Sequence, residues 1–191
     1  VTQLGTYKGI LRDAIGYLNS APPVDPTQVF NRANLPRFPL DDRADALTTQ
    51  VMTSVPLFLQ AGDLVTNLTF ISGGTAAGTP TNWWFALYSS AATPALLSQS
   101  ADQTTAAWAA DTIKTLALGT AQKIIASGIY WAAIMVKATT VPSLVGCYGA
   151  KAVLTGEGNL AQTSGSALTT TAPATIATPA FQRAVPLAIA N

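Results

Sequence analysis

Acid–base and nucleophilic chemistry draws on a small set of side chains, and this 191-residue chain is poor in them. It has no histidine and a single cysteine, Cys147. The commonest general base is therefore missing, and a zinc site of the Cys/His kind lacks ligands. Cys147 is read as a small buried hydrophobe. Asp41, Asp42 and Asp45 are close enough in sequence to suggest a cation site, but Arg37 and Arg43 stand among them, so a solvated, charge-paired loop is expected. Beyond residue 46 the carboxylates are Asp63, Asp102, Asp111 and Glu157. A glycosidase would need two of them about 5–9 Å apart. Asp63 falls in a turn, Asp111 precedes a strand and Glu157 sits in a Gly-Glu-Gly run, contexts that suit turns and solvation. Gly73 to Gly78 is glycine-rich, but no Lys-Ser/Thr pair follows, so it is not a phosphate loop. Asn67-Leu68-Thr69 matches the glycosylation sequon by chance. No catalytic residue, cofactor site or metal site is assigned, and the chain is read as not an enzyme.

Aromatic residues are the other group that could do work. Sugar-binding sandwiches present planar rings to sugar faces, and Trp83, Trp84, Trp108, Tyr130, Trp131 and Tyr148 could supply such rings. Aromatics at alternate positions of a central strand more often belong to the core. Trp108 is the best platform candidate, because its neighbours are small and polar and it lies in a connection.

Composition points away from several partners. Hydrophobic residues make up 49% of the chain and charged ones 10%, against about 25% charged in an ordinary soluble domain. The surface must be mostly Thr, Ser, Ala, Asn and Gln, or be covered by partners. A net charge of +1 gives no field for binding nucleic acid by counterion release. No apolar run approaches the roughly 20 residues needed to span a bilayer, so no membrane partner is expected. No signal-peptide pattern is read, and Val1 is taken as a processed start or one with sequence upstream. The charges gather in residues 1–45, leaving a nearly neutral body.

The elements that must carry these residues read as follows. Leu4, Tyr7, Ile10, Leu11, Ala14, Ile15 and Leu18 fall at spacings of 3 and 4, predicting an amphipathic helix over 3–19. Pro22 and Pro23 end it. Residues 20–46 are a Pro-rich extended arm with Val29, Phe30, Leu35, Phe38 and Leu40 as apolar anchors. The helix stripe packs on the chain's own body or docks on another protein; the arm wraps its own domain or lies along a neighbour. Residues 1–46 thus form an anchoring unit and 47–191 the body.

In the body, Asn82–Ser89 (N-W-W-F-A-L-Y-S) is the densest aromatic run. Trp83, Phe85 and Leu87 point one way, Trp84, Ala86 and Tyr88 the other. Gly128 onward (G-I-Y-W-A-A-I-M-V) is likewise apolar on both faces. Two such strands need cover on both sides. Val51, Thr53, Val55, Leu57 and Leu59 alternate with Met52, Ser54, Pro56 and Phe58; Leu64, Leu68 and Phe70 are expected inward. Leu144 to Leu154 reads as a strand broken at Gly146 and Gly149, and Phe181 to Ile189 as a closing strand, placed at an edge by Pro186. Residues 155–178 are low-complexity Thr/Ala/Ser/Gly, a long surface loop or a segment ordered by a partner. The fold class expected is mainly β, an antiparallel jelly-roll-like sandwich of about eight strands.

Three stretches carry a family resemblance: V-T-N-L-T-F-I-S-G-G-T-A-A-G-T-P-T-N-W-W-F-A-L-Y-S (65–89), S-A-D-Q-T-T-A-A-W-A-A-D-T (100–112) and S-G-I-Y-W-A-A-I-M-V-K-A-T-T-V-P-S-L (127–144). With them the body, about 46–147, resembles a jelly-roll family of virion proteins in tailed phages, especially those of actinobacteria. The resemblance implies a structural virion component: a head decoration protein, a head fibre or a minor tail protein. Residues 1–46 lie outside it. The expected function is a head decoration or fibre protein at the particle surface, with the major capsid protein or other virion proteins as partners. Tyr7, Ile10, Leu11, Phe30, Leu35 and Phe38 are its expected anchors, and the copies form a homo-oligomer, a trimer being one option. The alternative is a minor tail or receptor-binding protein that holds host cell-surface carbohydrate through Trp108.

Overall fold

The computed structural model describes residues 31–37 and 39–191. The expected helix over 3–19 and the arm up to Phe30 lie outside the described residues, as does Phe38. The described chain is mainly β and antiparallel, with no helix.

In chain order the strands are β1 (Arg32–Ala33), β2 (Asp41–Arg43), β3 (Met52–Leu59), β4 (Leu64–Ile71), β5 (Asn82–Tyr88), β6 (Leu96–Gln99), β7 (Ile113–Lys123), β8 (Gly128–Lys137), β9 (Leu144–Tyr148), β10 (Gln162–Ser164), β11 (Ala180–Phe181), β12 (Ala184–Pro186) and β13 (Ala188–Ala190). They form a four-stranded sheet in the order β1-β13-β4-β7, a six-stranded sheet in the order β11-β10-β3-β8-β5-β6, and a three-stranded sheet in the order β12-β9-β2. The arrangement is β-sandwich-like. One large core joins Val65, Leu68 and Phe70 of β4 to Val55 and Leu57 of β3, Trp83 and Phe85 of β5, and Ile134 and Val136 of β8.

The central strands behave as their alternation requires. Trp83, Phe85 and Leu87 enter that core, while Trp84, Ala86 and Tyr88 enter a second cluster on the opposite face of the six-stranded sheet. Met52, Ala133 and Met135 join the second cluster, with Trp131 packed at its margin. β8 lies between β3 and β5, and beyond Trp131 both its faces are covered, Ile134 and Val136 by one cluster and Ala133 and Met135 by the other, which is why this part of its sequence lacks polar alternation.

The cover for the second face comes from the segment expected as a long surface loop over residues 155–178, and its support is the chain's own sheet. Ala172 and Ile176 are buried there and Leu168 packs against them. The segment is bonded to the chain's own sheet at many points. Trp84 Nε1 donates to Thr169 O (2.7 Å), Tyr88 Oη to Pro173 O (2.8 Å), and Ala172 N to Gln99 Oε1 (2.6 Å). Leu96 N donates to Ala174 O (2.9 Å) and Ile176 N to Pro94 O (2.9 Å). Small Thr, Ala and Ser residues suit a layer that must lie flat on large aromatics, a role composition alone does not separate from a loop.

Three further expectations change. The described chain has more strands than the eight expected, because short edge strands come from the arm and the C-terminal third. Leu64 is half exposed and Val65 is buried instead, because the β4–β7 register shifts between Val65 and Asn67 and turns the earlier part of β4 over. The strand expected over 181–189 divides: β12 pairs with β9, and after Leu187 β13 joins β4 in another sheet. Pro186 does sit on an edge strand. The arm from Arg32 onward runs along the chain's own body, β1 against β13 and β2 against β9.

Candidate functional site

The carboxylates come first, because they are the groups able to do chemistry. Asp63 Oδ2 accepts from Gln60 N (2.7 Å), closing the turn around Gly62, and its Oδ1 meets Arg32 at 3.4 Å. Asp102 accepts from Asn82 Nδ2 (2.7 Å) and Trp83 N (3.0 Å), pinning the start of β5. Glu157 accepts from Val153 N (2.8 Å) and Leu154 N (2.9 Å), and these bonds hold its carboxyl below the usual glutamate range. Asp41 pairs with Arg43, and Asp42 Oδ2 accepts from Gly74 N (3.0 Å). These five carboxylates therefore hold backbone or a neighbouring side chain, and among the described residues no three His, Cys, Asp or Glu side chains gather as a cation site. The Gly73–Gly74 turn receives the Asp42 carboxylate so closely that a Cβ on Gly73 would lie 2.0 Å from Oδ1. Its glycines serve that approach.

Cys147 is partly buried in β9. Burial pushes its thiol up, against the smaller opposing pull of Arg43. A raised thiol pKa leaves it protonated and a poor nucleophile at neutral pH. Beside it, Tyr148 has the guanidinium carbons of Arg43 and Arg183 at 4.3 and 4.7 Å from its ring centroid.

The tryptophans separate into two groups. Trp108 is 1% exposed, with its ring centroid 5.0 Å from that of Trp83 and 5.7 Å from that of Phe85. Its Nε1 donates to Thr112 O (3.3 Å). It is a core residue and offers no ring to a ligand, which corrects the expectation of a platform there. The 101–111 connection folds inward over β5, bringing Trp83 Nε1 to Ala106 O (2.9 Å). Trp83 and Trp84 are equally enclosed. Trp131 alone among the tryptophans is partly exposed, and its indole N–H makes no hydrogen bond among the described residues.

Trp131 lines a groove of about 380 Å³ with Ala91 to Pro94, Gln162 and Ile176 to Pro179. Register explains the assembly. Trp131 lies opposite Pro56 on β3 and Tyr88 on β5, and Gln162 lies opposite Ser54 two residues further along β3, on the same face. Gln162 is 4% exposed, yet its side-chain amide has no hydrogen-bond partner among the described residues. Ser54 Oγ beneath it is buried and also unpaired. Sequence reasoning named Trp131 among the candidate rings but preferred Trp108, because Trp131 sits in a run that looks like pure core, and it gave no signal for Gln162 in its low-complexity stretch.

A second surface lies at the end of the molecule formed by the β3–β4 and β7–β8 turns. Phe58 is 53% exposed and Ile129, its register partner, is nearly as open. Leu64 is half exposed, and Ile125, between β7 and β8, is 88% exposed. β1 begins near this end, since Arg32 reaches Asp63 in the β3–β4 turn. Of the expected anchors, Leu35 packs against the chain's own core. Tyr7, Ile10, Leu11, Phe30 and Phe38 lie outside the described residues. No family model matches the sequence, and a search of curated proteins finds no match.

Proposed function

We propose that this chain is a non-enzymatic structural component of a tailed-phage virion, a head decoration or fibre protein held to its particle by its N-terminal segment and presenting a jelly-roll-like β-sandwich. The observation that carries the reading is a coincidence at one end of the molecule. β1 begins, with Arg32 on Asp63, at the same end at which Phe58, Leu64, Ile125 and Ile129 stand in water. Exposed apolar side chains gathered at one end favour burial against another protein. The resemblance of segments 65–89, 100–112 and 127–144 supplies the particle, and the low charge suits copies fixed in an assembly. The partner is the major capsid protein or another virion protein, with neighbouring copies beside it.

The test is co-sedimentation with purified capsids and with purified tails, comparing the full chain with a 31–191 truncation. The cut falls at 30 because β1 and β2 pair with the body and must stay. Capsid binding by the full chain and its loss in the truncation is the expected result. Equal capsid binding by both would overturn anchoring through the N-terminal segment. Binding to tails alone would make this a tail protein, and no binding to either particle would remove the virion reading.

A further inference from the structure

The Trp131 groove carries an inference that stands whether or not the chain sits on a particle. Its volume of about 380 Å³ falls within the ~300–1,000 Å³ of small-molecule sites. Two polar groups there make no hydrogen bond among the described residues and keep contact with solvent: the amide of Gln162, on a residue only 4% exposed, and the indole N–H of Trp131. An amide on a nearly buried side chain that meets only solvent in a groove wall is held in place to bond a ligand's hydroxyls. Thr93 and Thr178 add hydroxyls, and Pro94 and Pro179 form stiff walls.

The chemistry of these groups selects among ligands. No charged side chain lines the groove, so nothing compensates a phosphate or a carboxylate. No carboxylate lines it either, so a metal ion has no anionic ligand. A polyproline peptide docks across several aromatic rings, and here Trp131 is the one ring present. What remains is a ligand with an apolar face and a rim of hydroxyls that donate and accept at once. A pyranose has that shape: its C–H face covers an indole, and neighbouring hydroxyls match the donor and acceptor of a primary amide. The ring would be held ready, because Trp131 packs against the cluster of Met52, Trp84 and Tyr88 and its register neighbours are Pro56 and Tyr88. We propose that this groove is a binding site for a neutral saccharide, with Trp131 as the stacking platform and Gln162 as the group that reads its hydroxyls.

The experiment titrates the full chain with neutral tetrasaccharides of glucose, galactose, mannose and N-acetylglucosamine, up to about 20 mM, by ligand-observed NMR. At least one should bind saturably, with Kd on the order of 1 mM, the range expected of a single-platform site. Trp131→Ala should weaken that binding by about tenfold or more, and Gln162→Leu by about fivefold. Gln162→Leu should not lower Tm, because it removes an unpaired amide. Trp131→Phe keeps an aromatic face and loses only the N–H, so its affinity should fall between wild type and Gln162→Leu; it decides the matter if Trp131→Ala does not fold. Absence of saturable binding for all four sugars overturns the proposal, as does binding unchanged in Trp131→Phe and Gln162→Leu alike. Binding of an oligoproline peptide in place of any sugar would also overturn it and assign the groove to a peptide.

Discussion

At the scale of single residues, the polar atoms of this protein mostly hold the backbone in place. Asp102 fixes the entry to β5, Asp63 closes a turn, and Asp42 enters a space that only glycine at position 73 leaves open. Gly146 shows the same logic in a strand. The sequence suggested a break there, yet β9 runs straight through it between β12 and β2. A Cβ at Gly146 would lie 2.2 Å from Val185 O and 2.9 Å from the Pro186 Cα, both backbone atoms that no rotamer change can move aside. Gly146→Ala should therefore cost about 1–3 kcal/mol, with Tm falling roughly 2–4 °C per kcal/mol in a thermal melt. A melt within a degree of wild type would mean that β12 does not press on β9 this closely.

At the scale of elements, the 165–178 segment is the one whose role is least evident from composition. Its bonds come from the polar tips of core aromatics: Trp84 and Tyr88 each bury a ring and use the remaining N–H or O–H to hold this layer. Burial also pushes the Tyr88 hydroxyl far up from its ordinary range, so it stays a donor at any working pH. Tyr88→Phe leaves Pro173 O without its partner and should cost about 1–3 kcal/mol. Amide hydrogen exchange should then speed up across 168–176 before it does in β3 or β8. Uniform acceleration would mean that the layer and the sheet open as one unit. The 151–158 loop is a separate case, bound to itself through Glu157. Its carboxyl is held below the unfolded value, so this contribution is full above the ordinary glutamate pKa and is lost as pH falls through the lowered one. Limited proteolysis in this loop should increase as pH drops below the ordinary glutamate range, and Glu157→Gln should show the same increase already at neutral pH. A pH-independent cleavage rate in wild type would remove the role given to this carboxylate.

At the scale of the whole molecule, the two faces of the six-stranded sheet divide the work. One face meets the four-stranded sheet and forms the main core. The other is covered by the 165–178 layer over part of its length, and Trp131 and then Phe58 and Ile129 emerge where the cover ends. The exposure of Phe58 and Ile129 and the Trp131 groove both follow from this incomplete cover. Because β1 and β2 are stitched to β13 and β9, the 31–191 truncation should melt within a few degrees of the full chain. A truncation that does not fold would show that residues 1–30 belong to the body and not to an attachment.

Local pattern settled a good deal. Alternation in β3, β5 and β8 assigned each residue to its face, since the side-chain period of a strand is two and both faces were apolar. Neighbouring glycines marked Asp63 and Glu157 as turn and loop residues, and Pro186 marked an edge. Long-range register settled the rest. Nothing near Leu64 announces that the chain slips against β7 and exchanges Leu64 for Val65. Trp108 looked accessible because its sequence neighbours are small, but burial depends on what packs from elsewhere, and its connection folds over Trp83. Gln162 and Trp131 lie far apart in the chain, and each is unremarkable alone. They become a site because β10 pairs with β3 and β3 with β8, a pairing set by the fit of side chains across sheets, which no single segment encodes.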